Sequence, residues 1–215
     1  LGLTTLIGTP VAAGDDSSCP TESLDGVTVG NVTIEEGGNC NIRDTTIEGN
    51  LRLKKGATAT LYCDLDGPTR VEGNVLVEKT GTLYSALCGL GVNPVVIVGD
   101  VQGKKDSLMG LNGDVQDETL TIKGDLVADG ARFLRLEDLK VHGDVRVRKS
   151  TYGPLIADNA IGGDLLFEKN GVDTIVHANI VGGDCQGKKN ATPMESTENT
   201  AGGDIMGQCN CMNGC

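Results

Sequence analysis

The chain is predicted to be all-β: a single parallel β-helix (β-solenoid), right-handed, of about nine coils of 19–26 residues. Three observations predict it. First, a Gly followed by Asn or Asp recurs at Gly30-Asn31, Gly49-Asn50, Gly73-Asn74, Gly99-Asp100, Gly124-Asp125, Gly143-Asp144, Gly163-Asp164, Gly183-Asp184 and Gly203-Asp204. The separations run 19, 24, 26, 25, 19, 20, 20 and 20, the span of one solenoid coil and too short for most helical repeats. Second, apolar residues alternate with polar ones on both sides of each anchor, the period of a half-buried strand. Third, 32 glycines, no Trp and 2% aromatic residues cannot build an ordinary globular core around large rings. Stacked coils need none, because each buries small aliphatic side chains against its neighbours.

The inward columns are read relative to the anchor glycine. Two places before it stand Ile47, Val71, Ile97, Ile122, Val141, Ile161, Val181 and Ala201, with Thr28 the exception. Two places after it stand Val32, Leu51, Val75, Val101, Leu126, Val145, Leu165, Cys185 and Ile205. Between these columns Glu48, Arg52, Glu72, Lys123 and Arg146 must face water if the alternation holds. Each coil thus reads as a strand, a turn at the anchor and a second strand, pairing in parallel with its equivalents about 4.8 Å along the axis. Coils longer than the roughly 18 residues of left-handed hexapeptide helices point to the right-handed form.

The organisation predicted is an apolar arm and hinge over 1–18, a β-helix over 19–207 and a Cys-rich tail over 208–215. In the arm, Leu1, Leu3, Leu6, Ile7 and Val11 have extended character and lie outside the coil register. Pro10 and the run Gly14-Asp15-Asp16-Ser17-Ser18 form a hinge. Such an arm either caps its own first coil or adds as a strand to a neighbour. With no initiator Met and no basic region ahead of it, the opening is expected to be a mature N-terminus after processing.

A formal charge of −12 argues against nucleic acid as partner, since phosphate binding draws on clustered Lys and Arg. The pairs Lys54-Lys55, Lys104-Lys105 and Lys188-Lys189 are read as solvated turns. No apolar run approaches the roughly 18 residues of a membrane span, so no membrane insertion is expected.

Eight cysteines follow the coils. Cys19, Cys40, Cys63 and Cys88 lie 11, 9, 10 and 11 residues before their anchors, which puts them on one side of successive coils, within disulfide reach. The pairing expected is Cys19–Cys40 with Cys63–Cys88, and Cys40–Cys63 is the competitor. Cys185 and Cys209 could bridge the last coils, leaving Cys211 and Cys215 to pair locally or with another molecule. A zinc site is disfavoured: no C-x-x-C is present, and His142 and His177 lie far upstream of the C-terminal cysteines. Disulfides imply an oxidising, extracellular setting. The sequons Asn31-Val32-Thr33 and Asn190-Ala191-Thr192 make Asn31 and Asn190 candidate glycosylation sites.

The fullest motif stands in the last three coils, as Asn159-Ala160-Ile161-Gly162-Gly163-Asp164, Asn179-Ile180-Val181-Gly182-Gly183-Asp184 and Asn199-Thr200-Ala201-Gly202-Gly203-Asp204. With Gly207-Gln208-Cys209 these resemble secreted parallel β-helix repeat proteins of largely unassigned function, a likeness of class that implies the architecture and no catalytic residues. Bacterial cytoskeletal β-helices that polymerise end to end look similar in their Gly-Asp-Val steps but would not carry eight cysteines.

Stacking places Asn159, Asn179 and Asn199 above one another as a structural amide ladder. Asp164, Asp184 and Asp204, with the anchor acids before them, form a column of like charge in which Ca²⁺ is one way to relieve repulsion. The plainer expectation is that each Asp serves its turn, bonding its own backbone and facing water, because the first three anchors are uncharged Asn. No cofactor is expected. Outward acids near Arg, namely Glu137 and Asp138 with Arg135 and Asp129 with Arg132, are what a polysaccharide-cleaving site would use and equally what a solvated face looks like. Thr45, Thr58, Thr60, Thr119 and Thr121 are too scattered for an ice-binding array. The function expected is therefore non-enzymatic: a self-assembling subunit of an extracellular filament, sheath or surface layer. The alternatives are a monomeric adhesin binding surface glycans and a polysaccharide lyase or hydrolase.

Overall fold

The computed structural model describes residues 17–19, 23–63, 65–85, 92–113, 120–191 and 194–210. Among them the chain is a β-solenoid of three parallel sheets, with ten, nine and nine strands, each paired with the equivalent strand one coil away. Sheet I follows the anchors, sheet II comes next in the chain, and sheet III leads into the following anchor. One coil shows the pattern: Leu165–Glu168 in sheet I, Thr174–His177 in sheet II and Ile180–Val181 in sheet III. A coil is thus three strands, one more than the sequence pattern revealed. Within strands, alternate residues are buried, as in Val145–Arg148 with its sequence of buried and exposed positions.

Register explains the exception at Thr28. The pairing is Val29 with Ile47, so the first coil reaches its anchor one residue sooner and Val29, 2% exposed, takes the inward place. The core is a continuous column of Val, Leu, Ile and Ala, and Phe167 is the one fully buried aromatic ring among the described residues. Each buried Val, Leu or Ile side chain contributes about 1.5–3 kcal/mol by leaving water.

The coils of 24–26 residues place their extra length at one corner. Sheet II to sheet III takes the chain from Leu61 to Thr69, from Ser85 to Val95 and from Asn112 to Leu120, whereas in the next coil it runs only from Glu137 to Lys140. The other turns are tight and repeat in backbone conformation. Lys149, Lys169 and Lys189, at φ of 53°, 57° and 54°, turn the chain from sheet I towards sheet II. Asp138, Asp158, Ala178 and Glu198, at 51° to 59°, turn it into sheet III. A non-glycine residue there costs about 1–2 kcal/mol, and the residue that follows each one is drawn inward, where its contacts offset that cost.

Candidate functional site

At the corner between sheets III and I, the anchor side chains bond one coil to the next. Asn31 Oδ1 accepts the backbone N–H of Asn50 at 2.8 Å, and the same bond recurs from Asn74 to Asn50 and from Asp100 to Asn74. It continues through Asp125, Asp144, Asp164, Asp184 and Asp204, each N–H donating to the Oδ1 one coil earlier at 2.8–2.9 Å. The expectation that each Asp bonds its own backbone is corrected: the partner is the next coil. An amide or a carboxylate oxygen serves equally as acceptor, which is why Asn and Asp interchange at this position. The preceding glycine is required by crowding, since a Cβ on Gly163 would lie 2.2 Å from Asp144 Oδ1. The calcium candidates Asp164 and Asp184 therefore already spend one oxygen each on the ladder, and among the described residues no three His, Cys, Asp or Glu side chains are grouped as a metal ion requires.

Two further ladders run inside. Asn159 and Asn179, 3% and 0% exposed, and the half-buried Asn199 stack so that Asn159 Nδ2 donates to Asn179 Oδ1 and Asn179 Nδ2 to Asn199 Oδ1, both at 2.8 Å. The second, which the sequence pattern did not single out, links Ser150, Asn170, Asn190 and Gln208. Asn170 Oδ1 accepts from Ser150 N–H, Asn190 Oδ1 from Asn170, and Gln208 Oε1 from Asn190. Its signal was the 20-residue interval between Asn170 and Asn190. Asn190, the second glycosylation candidate, is 7% exposed, and its Nδ2 donates to Phe167 O and Gln208 Oε1. Asn31 is exposed.

At the corner between sheets I and II charges line up rung by rung. Glu35, Lys54, Glu78, Lys104, Asp129, Arg148, Glu168 and Lys188 occupy one column, alternating in sign. Lys54 pairs with Glu35 at 2.7 Å and Arg148 with Glu168 at 3.8 Å. Lys169, donating to Glu168, holds that carboxyl below its ordinary range, and Arg70 does the same for Glu72. The lysine pairs expected as solvated turns lie here and are exposed, apart from the half-buried Lys54.

Outward on or beside sheet II lie four of the five aromatic rings. Arg43 sits 4.6 Å from the centre of the half-buried Tyr62 ring, and Arg132 5.9 Å from that of Tyr152. Tyr84, Phe133 and Tyr152 are 39%, 43% and 57% exposed. A groove of about 640 Å³ is lined by Lys79, Thr80, Asp106, Leu108, Arg132, Thr151 and Tyr152. The acid candidates find partners locally. Arg135 donates to Glu137 at 2.6 Å, Asn112 donates to the same carboxylate, and Asp129 pairs with Lys149 at 3.7 Å, while Arg132 turns to Tyr152. Asp138 occupies its left-handed corner.

Disulfides join Cys19 to Cys40 and Cys185 to Cys209, with Cα separations of 6.1 and 6.0 Å. Cys40 is thereby removed from its competing partner Cys63, which is itself disulfide-bonded. Cys88, Cys211 and Cys215 lie outside the described residues, as do Leu1, Leu3, Leu6, Ile7 and Val11 of the arm. At the C-terminal tip the 3₁₀ turn Gln208–Asn210 folds onto the last coil: Cys209 is 4% exposed, its carbonyl accepts from Ser196 Oγ, and Gln208 terminates the Asn170 ladder. No helix of the described residues is long and apolar enough to cross a membrane.

Fold and edges together define a disulfide-linked parallel β-solenoid. Comparison of the chain with protein-family models, with curated proteins and with solved structures finds no match.

Proposed function

We propose that this is a secreted, non-enzymatic structural protein whose rods join end to end into an extracellular filament, sheath or surface layer. The observation that carries the proposal is the state of the last coil. It has the full anchor motif, yet Ile205, at an inward position, is 36% exposed, whereas Cys185 one rung below is fully buried. Ala201 is likewise half-buried where Val181 is 2% exposed. Among the described residues the 3₁₀ turn covers only part of this coil, so a strand edge and apolar side chains are left of the kind that invite another chain. Contact between unlike ends of a rod does not close on itself and grows into a filament. Disulfides between neighbouring coils suit an oxidising exterior.

Substituting Ile205→Lys places a charge on the tip at a position already open to water. The expected outcome by light scattering at micromolar concentration is loss of polymers with an unchanged melting temperature. Deleting residues 1–13 separates the two modes: polymers vanish if the arm is the donor strand and persist if coils stack directly. Wild-type protein that stays monomeric would sink the proposal.

The aromatic side of sheet II favours a second reading, an adhesin binding surface glycans, because exposed Tyr and Phe rings beside polar groups are platforms for sugar faces. A glycan array with wild type and Tyr152→Ala tests it; binding lost in the variant supports that role.

A further inference from the structure

Anchor and corner lysine are separated by the same five residues in six of the nine coils, four of them with an aspartate anchor: Asp100 and Lys105, Asp144 and Lys149, Asp164 and Lys169, and Asp184 and Lys189. Sheet I lies between them. Its outer face is therefore a ribbon about 16 Å wide, at 3.3 Å per residue, with carboxylates down one edge and ammonium groups down the other. The acidic edge carries Asp100, Asp125, Asp144, Asp164, Asp184 and Asp204, of which Asp144 alone has an ion pair among the described residues, with Arg146 at 2.6 Å. The basic edge carries Lys55, Lys79, Lys105, Lys149, Lys169 and Lys189, all exposed. Both columns repeat with the coil rise, about 4.8 Å, because one winding generates both.

We propose that rods associate side by side through these edges, the aspartate column of one copy lying against the lysine column of a second, parallel copy. Two linear arrays of opposite charge match over several rungs only if their spacings agree, and here the agreement is built into the fold. A second copy is favoured over a foreign polyanion because its aspartates recur at the same coil rise as the lysines they would meet. Asp164 and Asp184 spend Oδ1 on the internal ladder, so the second oxygen of each is the one that faces a partner. The contact extends self-assembly sideways and does not depend on the tips.

Two triple variants approach the contact from opposite sides. Asp164→Asn, Asp184→Asn and Asp204→Asn together neutralise the last three rungs of the acidic column while keeping the ladder, since Asn31, Asn50 and Asn74 already serve it. Lys149→Gln, Lys169→Gln and Lys189→Gln neutralise the last three lysines of the basic one. Sedimentation and scattering cross-section would be read at 20 mM and 500 mM salt, with melting temperature as the folding control. The result expected is side-by-side association of wild type that falls at least tenfold at high salt, and an equal fall in each variant at low salt with melting unchanged. Fibres one rod wide at low salt would overturn the lateral contact and leave end-to-end assembly standing, whereas a monomer at low salt would overturn both. Polygalacturonate binding lost in the lysine variant, with self-association unchanged, would overturn it in favour of an acidic glycan.

Discussion

Asn179 concentrates what holds one coil to the next. Its Oδ1 satisfies the N–H of Asn159, and its Nδ2 donates to Ile156 O at 2.9 Å, to His177 O at 3.0 Å and to Asn199 Oδ1. Truncation leaves buried donors and acceptors unpaired at about 1–3 kcal/mol per group. Asn179→Ala is therefore expected to destabilise by about 2–5 kcal/mol, and the half-buried Asn199→Ala by less, since water reaches its groups. Thermal melts of the two variants check the order; equal losses would mean the ladder adds nothing beyond backbone pairing. The anchor carboxylates of Asp164 and Asp184 work by the same bond at the surface, where the second oxygen remains open to solvent or to a partner.

Among the elements, the C-terminal clip is the most informative. Cys185–Cys209 closes 24 residues, and in the chain-entropy account a loop of that length stabilises by about 3 kcal/mol. Mild reduction is expected to release the 3₁₀ turn and fray the last coil first, read as accelerated hydrogen exchange at Ile205–Gly207 while the interior strands stay protected; uniform acceleration would contradict a local clip. The two strands flanking each anchor were legible in the sequence because their distance to the glycine is fixed. Sheet II was not. Its alternation at Cys40 and Ile42, Met109 and Leu111, and Leu134 and Leu136 keeps a constant ten and twelve residues from the preceding anchor glycine, but the long connections between sheets II and III put it at varying distances from the following anchor, against which the cysteines were aligned. The cap escaped for a different reason: three residues, Gln208–Asn210, form it, and they act through one amide and one disulfide rather than through an apolar pattern. The charge columns were hidden because lysines 20 or more residues apart become neighbours only once the coils stack.

At the scale of the whole molecule, the fold turns a repeated sequence into repeated edges, and everything proposed about function follows from those edges and from the ends where the repetition stops. A rod of about nine coils is roughly 40 Å long at 4.8 Å per coil. Electron microscopy of the purified protein at micromolar concentration tests the central claim most directly. Filaments many times longer than that, with the rod axis along the fibre, are the result predicted. Discrete particles of one rod length, at every concentration and with the N-terminal arm intact, would contradict it.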